Sequence, residues 1–571
     1  MFTPVNPTRS NKKSAETLKG VICILNTFEK WKQGFSESEL QDIMSLITQL
    51  INNNFGGIRR KDAYFSQEKI TCSDCQNVEL FYTGLNSGVG IRTSQGNTAV
   101  TKYIVNNETI SLIPADEQII EIFETVQDAI TYLIAYTESS TQGKLYHIDL
   151  AARTANVLVN GLSVTGKACG TDFVQGWLDM FVFSNGQEIK YIYTNTETHT
   201  ALQVENSENI HLIDQDGRTV KGLGLVNFND RLWIFDGKIL WYSQQGECRN
   251  FLYNQTNTIT TAGYMEFVKN ITAIYPYLGS LAVFHKDSSI LVVTNETTIF
   301  SRTDESPGGC ANYRSLVFHG TDLYFYDDTK KGVFSFKQII NGDKTLGDNI
   351  ALDIQEELMQ ISSANIFKIK ALSVVTSDRN EVWFIVPISE DENHTTVMIY
   401  DYLRGEWVKR ICQKINTVNT IENTLYSAGK EIYQEYEGNS FDGEFIQSFY
   451  TCSMFNLGAD NTMKITKFPP RMCVDGNNSN DFFVKYVKNY NYFKTPKIKQ
   501  IKSKTSGLIL TYDTEETYDD KYIYIPNTIN AVVKLPSATF KALEITFYTE
   551  SINQCFSIKN IEFSKIKVKQ V

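Results

Sequence analysis

The sequence has little proline, little histidine and no long apolar run. Its 571 residues include 11 prolines and six histidines, whereas tyrosine and phenylalanine number 30 and 34. Scarce proline with abundant aromatic side chains favours β-structure, because aromatic rings fit a pleated, half-buried surface. No apolar stretch reaches the roughly 20 residues that a membrane-spanning helix needs, and the polar first 13 residues lack the apolar centre of a signal peptide. We therefore expect no membrane span.

The common catalytic and ligand-binding motifs are also absent. The sequence has no H-E-x-x-H, no G-x-S-x-G, no phosphate-binding G-x-x-x-x-G-K-[ST] and no G-x-G-x-x-G that opens a helix. None of the six histidines is spaced to another as a metal pair. Cys72 and Cys75 form a C-x-x-C without a second pair at metal spacing, which argues against zinc. We predict no catalytic residue, metal site or cofactor, and cysteines that act as small buried apolar groups in a reducing compartment.

Acidic side chains outnumber basic ones. The formal net charge is −11, whereas a protein that wraps DNA needs a basic surface to neutralise phosphates. This charge argues against wrapping, allows a conduit through which DNA slides, and would also serve solubility alone. Five lysines nevertheless lie close together: Lys494, Lys497, Lys499, Lys502 and Lys504. We interpret them as a solvated face, with a cationic contact to nucleic acid or to an acidic ring as the alternative.

One pattern recurs in the middle of the chain. It consists of an aromatic or β-branched strand, a polar tip and a returning strand, and it occupies residues 225–243, 277–294 and 318–336. Each segment begins roughly 40 to 50 residues after the last, which is the spacing of a propeller blade. A four-stranded blade cannot bury both faces alone, so blades are stable only when stacked in a ring. The pattern predicts a β-propeller of about five to seven blades.

The rest of the chain divides around this pattern. Residues 1–70 are predicted to hold an N-terminal arm and an amphipathic helix that begins with the capping box Ser36–Glu39. Residues 71–443 are predicted to form the propeller with its entry hairpins, and a short helix is expected over 353–363. Longer alternating strands over 444–571 predict a separate C-terminal β-sandwich-like domain. The predicted fold class is therefore mainly β.

Two alternative functions involve carbohydrate. A glycoside hydrolase needs two carboxylates that face each other across the sugar, and the candidates are Asp149, Asp236, Asp327 and Asp401. They fall at strand ends and hairpin tips, where aspartate is favoured for turn geometry. A carbohydrate-binding or receptor-binding propeller would need an exposed aromatic platform, for which the candidates are Trp233, Trp241, Trp383 and Trp407. Their positions within apolar strands predict packing between blades instead.

Several further segments run in a definite order through roughly residues 70–440. They are Cys75–Leu80 with Gly88 and Arg92–Thr93, Asn227–Phe235, Ile239–Ser243 with Asn250–Phe251, Asn295–Phe300, Pro307–Cys310, Gly320–Phe325, Lys331–Ser335 and Tyr400–Val408. In this order they resemble the tail nozzle and packaged-DNA stabilisation proteins of short-tailed bacteriophages. The Asn-, Lys- and Tyr-rich composition suggests an AT-rich genome, such as that of a crAss-like phage.

The resemblance implies a function and a set of partners. It implies a ring, usually a hexamer, beneath the portal and adaptor rings of a virion tail, assembled in the host cytoplasm. Such a ring would extend the DNA channel, contact the transiting double-stranded DNA without sequence specificity, and retain the packaged genome until ejection. The expected partners are further copies of this chain, the adaptor, portal or other tail ring proteins, and tail fibres.

Overall fold

Alternating apolar and polar positions dominate the chain, and the structure is correspondingly mainly β. The computed structural model describes residues 55–58, 70–83, 88–106, 108–194, 202–205, 212–214, 216–252, 260–294, 300–341, 346–388, 393–453, 463–466, 470–489, 491, 495–503, 522–525, 531–535, 539–562 and 566–569. The helix predicted to begin at Ser36 lies outside these residues. The chain divides into two compact units: a continuous unit, Gln95–Glu444, and a split unit that joins the residues before it to those after it.

The first strands along the chain are short. Those of the split unit are β1 (Phe55–Ile58), β2 (Ile70–Gln76), β3 (Val78–Tyr82) and β4 (Val89–Thr93). The continuous unit opens with β5 (Asn97–Ala99) and a hairpin of β6 (Lys102–Val105) and β7 (Glu108–Ser111).

Seven antiparallel sheets, numbered here in chain order, make up the continuous unit beyond this hairpin. Sheet 1 holds β8 (Gln118–Gln127), β9 (Ile130–Glu138), β10 (Gly143–Asp149) and β11 (Thr154–Leu162). Sheet 2 holds β12 (Cys169–Gln175), β13 (Leu178–Ser184), β14 (Ile189–Thr194) and β15 (Leu202–Glu205). Sheet 3 holds β16 (Leu223–Phe228), β17 (Arg231–Asp236), β18 (Ile239–Tyr242) and β19 (Gly263–Glu266). Sheet 4 holds β20 (Ile271–Tyr277), β21 (Ser280–His285), β22 (Ser288–Thr294), β23 (Phe300–Arg302) and β24 (Ser306–Pro307).

The last three sheets differ in how they are completed. Sheet 5 has three strands, β25 (Leu316–His319), β26 (Asp322–Asp327) and β27 (Gly332–Ser335). Sheet 6 holds β28 (Lys370–Val375), β29 (Asn380–Val386), β30 (His394–Asp401) and β31 (Glu406–Gln413). Sheet 7 holds β32 (Ile415–Ile421), β33 (Thr424–Gly429) and β34 (Ile432–Glu435), and its fourth strand is β5 from the start of the unit.

Short helices accompany sheet 5. A 3-10 turn, Tyr313–Ser315, precedes it, and α1 (Phe336–Asn341), the 3-10 turn Leu352–Ile354, α2 (Gln355–Met359) and the 3-10 helix Ser363–Lys368 follow it. The predicted short helix over 353–363 is therefore confirmed. It forms because Gln, Glu, Leu and Met are strong helix formers.

Consecutive sheets pack face to face. Between sheets 1 and 2, the ring of Phe123 lies 5.2 Å from Phe181 and 6.1 Å from Phe183. Between sheets 4 and 5, Phe284 lies 5.3 Å from Phe325. The first strands of sheets 1 to 4 contact one another in series, as do those of sheets 5 to 7, and β32 of sheet 7 contacts β8 of sheet 1. The series thus returns to its starting sheet.

Tight turns join the first and second strands of the sheets. Asn229 and Asp230 have φ of 53° each, and Glu422 and Asn423 have φ of 48° and 64°. Two successive positive φ values define the turn whose twist matches that of the flanking strands, and Asn and Asp tolerate this conformation best. The pattern in residues 225–243, predicted as two strands around a polar tip, contains parts of three strands, namely β16, β17 and β18.

The split unit continues after the continuous one. Its remaining strands are β35 (Phe449–Cys452), β36 (Met463–Thr466), β37 (Arg471–Val474), β38 (Phe482–Lys488), β39 (Lys497–Ser503), β40 (Tyr522–Ile525), β41 (Ala531–Lys534), β42 (Thr539–Phe540), β43 (Leu543–Tyr548), β44 (Ser557–Glu562) and β45 (Ile566–Lys569). They complete a seven-stranded sheet (β1-β2-β35-β43-β38-β39-β40), a five-stranded sheet (β3-β4-β44-β37-β41) and a three-stranded sheet (β42-β36-β45). Phe556 packs 5.8 Å from Phe482 and 6.3 Å from Phe547.

The entry segment lies elsewhere than the sequence suggested. Residues 71–94 were expected to precede the propeller as hairpins within residues 71–443. In the structure β2 pairs with β35, where Cys72 faces Cys452, and β4 pairs with β44, where Ile91 faces Ile558. These strands therefore belong with the residues after Glu444, and a pairing over such a sequence separation leaves no local signal.

Candidate functional sites

The predicted lysine cluster lies partly on one strand of the seven-stranded sheet. Lys497, Lys499 and Lys502 belong to β39, whereas Lys494 and Lys504 lie outside the described residues. Because side chains alternate along a strand, Lys497 and Lys499 project from one face of the sheet and Lys502 from the other. The described lysines therefore do not share one cationic face.

A fourth lysine adjoins this strand. Tyr486 of β38 is opposite Lys497, and Lys488 lies two residues further along β38 on the same face. Burial, and then repulsion from Lys497, lowers the pKa of Lys488. Lys488 is nine residues from Lys497 in the sequence and on the partner strand, so the sequence alone does not join it to the lysine cluster.

The opposite face of the same sheet carries a groove of about 480 Å³. It combines aromatic, hydroxyl and charged side chains, and its lining includes Phe449, Thr451, Lys485, Ile498, Glu544, Thr546 and Tyr548. The ring of Tyr548 stacks on Phe483 at 5.3 Å. Burial and the neighbouring Glu550 raise the pKa of Tyr548 to about 12, so its hydroxyl stays protonated at neutral pH.

The candidate carboxylates of a glycosidase hold turns. Asp327 accepts hydrogen bonds from the backbone N–H groups of Thr329 and Lys330 at 2.8 and 3.1 Å. Asp149 accepts one from Ala152 at 2.8 Å, and Asp401 accepts one from Arg404 at 3.1 Å. Asp236 ends β17 immediately before the turn at Gly237, which has φ of 59°. These interactions support the predicted structural role of the aspartates.

The candidate tryptophans of a sugar platform are buried. Trp233, Trp241, Trp383 and Trp407 are each at most 3% exposed. The indole N–H of Trp233 donates to the carbonyl of Phe228 at 3.0 Å. Their burial agrees with the prediction that they pack in the core, and none of the four presents a ring face to solvent.

A buried ion cluster lies where the first strands meet. Glu121 of β8 forms ion pairs with Arg314, at 3.3 Å, and with Lys370 of β28. Lys370 also donates to the hydroxyl of Thr417 of β32 at 2.8 Å. Burial lowers the pKa of Lys370, and Glu121 opposes this effect. The cluster therefore ties the first strands of sheets 1, 6 and 7 together.

The 3-10 turn Tyr313–Ser315, beside this cluster, is linked to widely separated parts of the continuous unit. The hydroxyl of Tyr313 donates to the carbonyl of Ala168, between sheets 1 and 2, at 3.0 Å. The guanidinium of Arg314 donates to the carbonyl of Asn416 in sheet 7 at 2.7 Å. The side-chain amide of Asn312 donates to the carbonyl of Ile366, before sheet 6, at 2.6 Å. Three consecutive residues thus bind segments that are far apart in the sequence.

A second buried cluster fixes β5 to sheet 7. The carboxylate of Glu435 lies 2.5 Å from the guanidinium of Arg410, accepts from the amide of Asn97 at 2.8 Å, and accepts from the hydroxyl of Ser427 at 2.5 Å. Phe441 covers the guanidinium at 4.7 Å. The arrangement satisfies both charges and serves to close the last sheet.

The cysteines and the other titratable groups show no metal chemistry within the described ranges. Cys72 and Cys75 are both buried in β2, and burial raises the pKa of Cys72 well above its usual value. Among the described residues, no group of three or more His, Cys, Asp or Glu side chains could hold a metal ion. In the same residues, no helix has the length and apolarity needed to cross a membrane.

Comparisons with known proteins give only distant structural likeness. No protein-family model and no curated protein matches the sequence. A catalytically inactive virginiamycin B lyase from Staphylococcus aureus, solved with quinupristin, is similar at 9% identity and a TM-score of 0.34, over 58% of this chain and 96% of that chain. A chain of the mitotic checkpoint complex is similar at 8% identity and a TM-score of 0.33, over 59% and 95%. Both are β-propeller-like; scores this low assign no function here.

Proposed function

We propose that Gln95–Glu444 forms a seven-bladed β-propeller, with sheets 1 to 7 as its blades. The proposal is supported by the contacts between first strands within sheets 1 to 4 and within sheets 5 to 7, by the ring contact of Phe284 with Phe325 between sheets 4 and 5, and by the contact of β32 with β8. It is also supported by β5, which comes from the start of the unit and completes the last sheet. A blade built from both ends of a unit closes the circle and protects the strand edges. We further propose that the split unit is β-sandwich-like.

We propose that the protein is a structural subunit of a bacteriophage tail. Its copies would form a ring, as a hexamer, below the portal and adaptor, extend the DNA channel, and retain the packaged genome until ejection. The observation that carries this proposal is the set of hydrogen bonds from Asn312, Tyr313 and Arg314 to three widely separated parts of the continuous unit, from which we infer a centre filled by the protein's own side chains. A centre occupied by the protein's own side chains favours a scaffold over a catalyst, and the sequence resemblance supplies the class of scaffold.

The resembling segments also support a scaffold. In Tyr400–Val408, Asp401 pairs with Arg404, and Gly405 has φ of 66°. The ring of Trp407 lies 4.9 Å from that of Tyr400. These residues shape a strand turn, so this part of the resemblance concerns architecture. The carbohydrate alternatives lack comparable support, because their candidate tryptophans are buried and their candidate aspartates hold turns.

Measuring the assembly state tests the proposal. The purified full-length chain would be examined by light scattering and negative-stain electron microscopy across a range of concentrations. The expected result is a closed ring with cyclic symmetry, because head-to-tail contacts that close produce rings. A subunit that remains monomeric at every concentration examined would contradict it. Hydrolysis or specific binding of a host surface polysaccharide, without rings, would favour the carbohydrate alternatives.

A further inference from the structure

The turns of sheets 7, 1 and 2 meet at one end of the continuous unit. The backbone N–H of Asp128, in the turn after β8, donates to the carboxylate of Asp179 at 3.3 Å. The N–H of Glu422, in the turn after β32, donates to the carboxylate of Glu124 at 2.9 Å. We call the surface formed by residues 124–130, 172–179 and 420–424 the turn patch.

Four apolar side chains of the turn patch are exposed. Trp177 is 80% exposed, Val174 58%, Val126 48% and Ile130 44%. Single exposed apolar residues are ordinary, but these four lie in or within two residues of two turns, and the hydrogen bond between Asp128 and Asp179 joins these turns. Grouped exposed apolar side chains mark interaction surfaces, and tryptophan is enriched among the residues that dominate binding energy. The exposed and grouped apolar side chains of the turn patch are therefore those expected of a surface that binds another protein segment.

The charge of the turn patch defines its partner. It carries five carboxylates and, in its three segments, no lysine or arginine; the carboxylates are Glu124, Asp128, Asp172, Asp179 and Glu422. Burial, and then repulsion from Asp179 and Glu124, raises the pKa of Asp172. Such a surface repels nucleic-acid phosphates. It complements a polypeptide that is basic and carries apolar side chains.

We propose that residues 1–35 of a second copy of this chain dock on the turn patch. That segment contains six basic and two acidic side chains, a net charge of +4, in a chain whose net charge is −11. It also contains the apolar run Val21–Leu25, followed by Phe28 and Trp31. The inference rests on the proposed function, because one copy's segment seated on the next copy is a head-to-tail contact, and such contacts close into rings.

Site-specific cross-linking tests the contact directly. Trp177 would be replaced by photoreactive benzoylphenylalanine in the full-length chain, and isotopically light and heavy copies would be mixed before irradiation. Mass spectrometry is expected to find position 177 of one copy joined to a peptide from residues 1–35 of another. Rings without this cross-link, or with position 177 joined to any other segment or only within its own copy, would overturn the inference and leave the proposed function standing. An absence of rings would count against both.

Two matched variants measure how much the turn patch contributes to the free energy of assembly. Trp177→Ala with Asp128→Asn removes an exposed ring and a charge from the patch. We expect the concentration at which half the chains assemble, measured by mass photometry, to rise at least about tenfold. Val268→Ala with Asp236→Asn is the control, because Val268 is 88% exposed and both residues lie outside the patch. Thermal unfolding should be unchanged in both variants, and an unchanged assembly midpoint in the first would overturn the inference.

Discussion

At the residue scale, buried carboxylates carry much of the organisation of the continuous unit. The side chains of Glu121 and Glu435 are 4% and 0% exposed, and each has cationic partners and a hydroxyl donor. A buried ion costs several kcal/mol to desolvate, about as much as its partners return, so such pairs add little net stability by themselves. Removing one partner destabilises the protein, because the remaining charge stays buried without its counter-charge.

Removing the carboxylate of Glu435 is therefore expected to be costly. Glu435→Ala leaves the guanidinium of Arg410 buried without the carboxylate that lies 2.5 Å away. We expect the free energy of unfolding, measured with denaturant, to fall by about 3–5 kcal/mol. Lys269→Ala is the control, since its pair with Asp287 is about half exposed and should be worth at most about 1 kcal/mol. Equal effects of the two substitutions would contradict the account.

The contribution of Asp214 should depend on pH. Burial acts to raise the pKa of Asp214, but hydrogen bonds from the backbone and guanidinium of Arg218 lower it overall. A carboxyl whose folded pKa is lowered stabilises the protein above its unfolded value, about 3.9, and loses that contribution as pH falls through the folded value. Asp214→Asn should therefore lower the melting temperature at pH 7. The difference should shrink as the pH drops below about 4, and a constant difference down to pH 3 would contradict this.

At the scale of elements, turns and short helices place the sheets. The sequence correctly predicted the strands around the tip at Asn229 and Asp230, because aspartate and asparagine tolerate positive φ. It described that pattern as two strands, whereas the structure divides it among β16, β17 and β18. The position of the 3-10 turn Tyr313–Ser315 could not be predicted from the sequence. Tyr313 binds a residue 145 positions away, and Arg314 pairs with Glu121, which is farther away still.

The cap of this central turn is expected to stabilise it. Asn312 accepts hydrogen bonds from the backbone N–H groups of Arg314 and Ser315 at 2.6 and 3.1 Å. Asn312→Ala should lower the free energy of unfolding by about 0.5–2 kcal/mol and speed hydrogen exchange at residues 313–316. Ser362→Ala is the control, because Ser362 precedes the 3-10 helix Ser363–Lys368 without a side-chain capping bond. A larger effect of the control would refute the capping role.

At the scale of the whole molecule, the sequence predicted a repeated β architecture but not the long-range strand pairs that complete its sheets. The repeats predicted blades, whereas the pairing of β5 with β34 and of β2 with β35 joins residues more than 300 positions apart. The site predictions were limited for a similar reason. The lysine-rich sequence does not show that its lysines lie on two faces of a strand. The sequence around Trp177 likewise does not distinguish this exposed tryptophan from the buried ones.

Binding to free duplex DNA should be weak. The net charge is −11, and the described lysines of β39 do not share one face. The logarithm of the binding constant falls with the logarithm of salt by about 0.9 per neutralised phosphate, so we expect a slope no steeper than about −2 by fluorescence anisotropy. Changing Lys497, Lys499 and Lys502 together to glutamate should leave the fold intact. If that variant changes neither the slope nor the assembly, the lysines are a solvated face; a slope near −6 in the unmodified chain would contradict a conduit.

The most direct test of the central proposal is a cryo-electron microscopy reconstruction of the purified full-length chain. We expect a closed ring with cyclic symmetry, in which each subunit contains one seven-bladed β-propeller whose centre is filled by side chains. The channel should then lie between subunits and be wide enough for duplex DNA. A reconstruction that shows single subunits, an open filament, or a channel running through the middle of each propeller would contradict the proposed function.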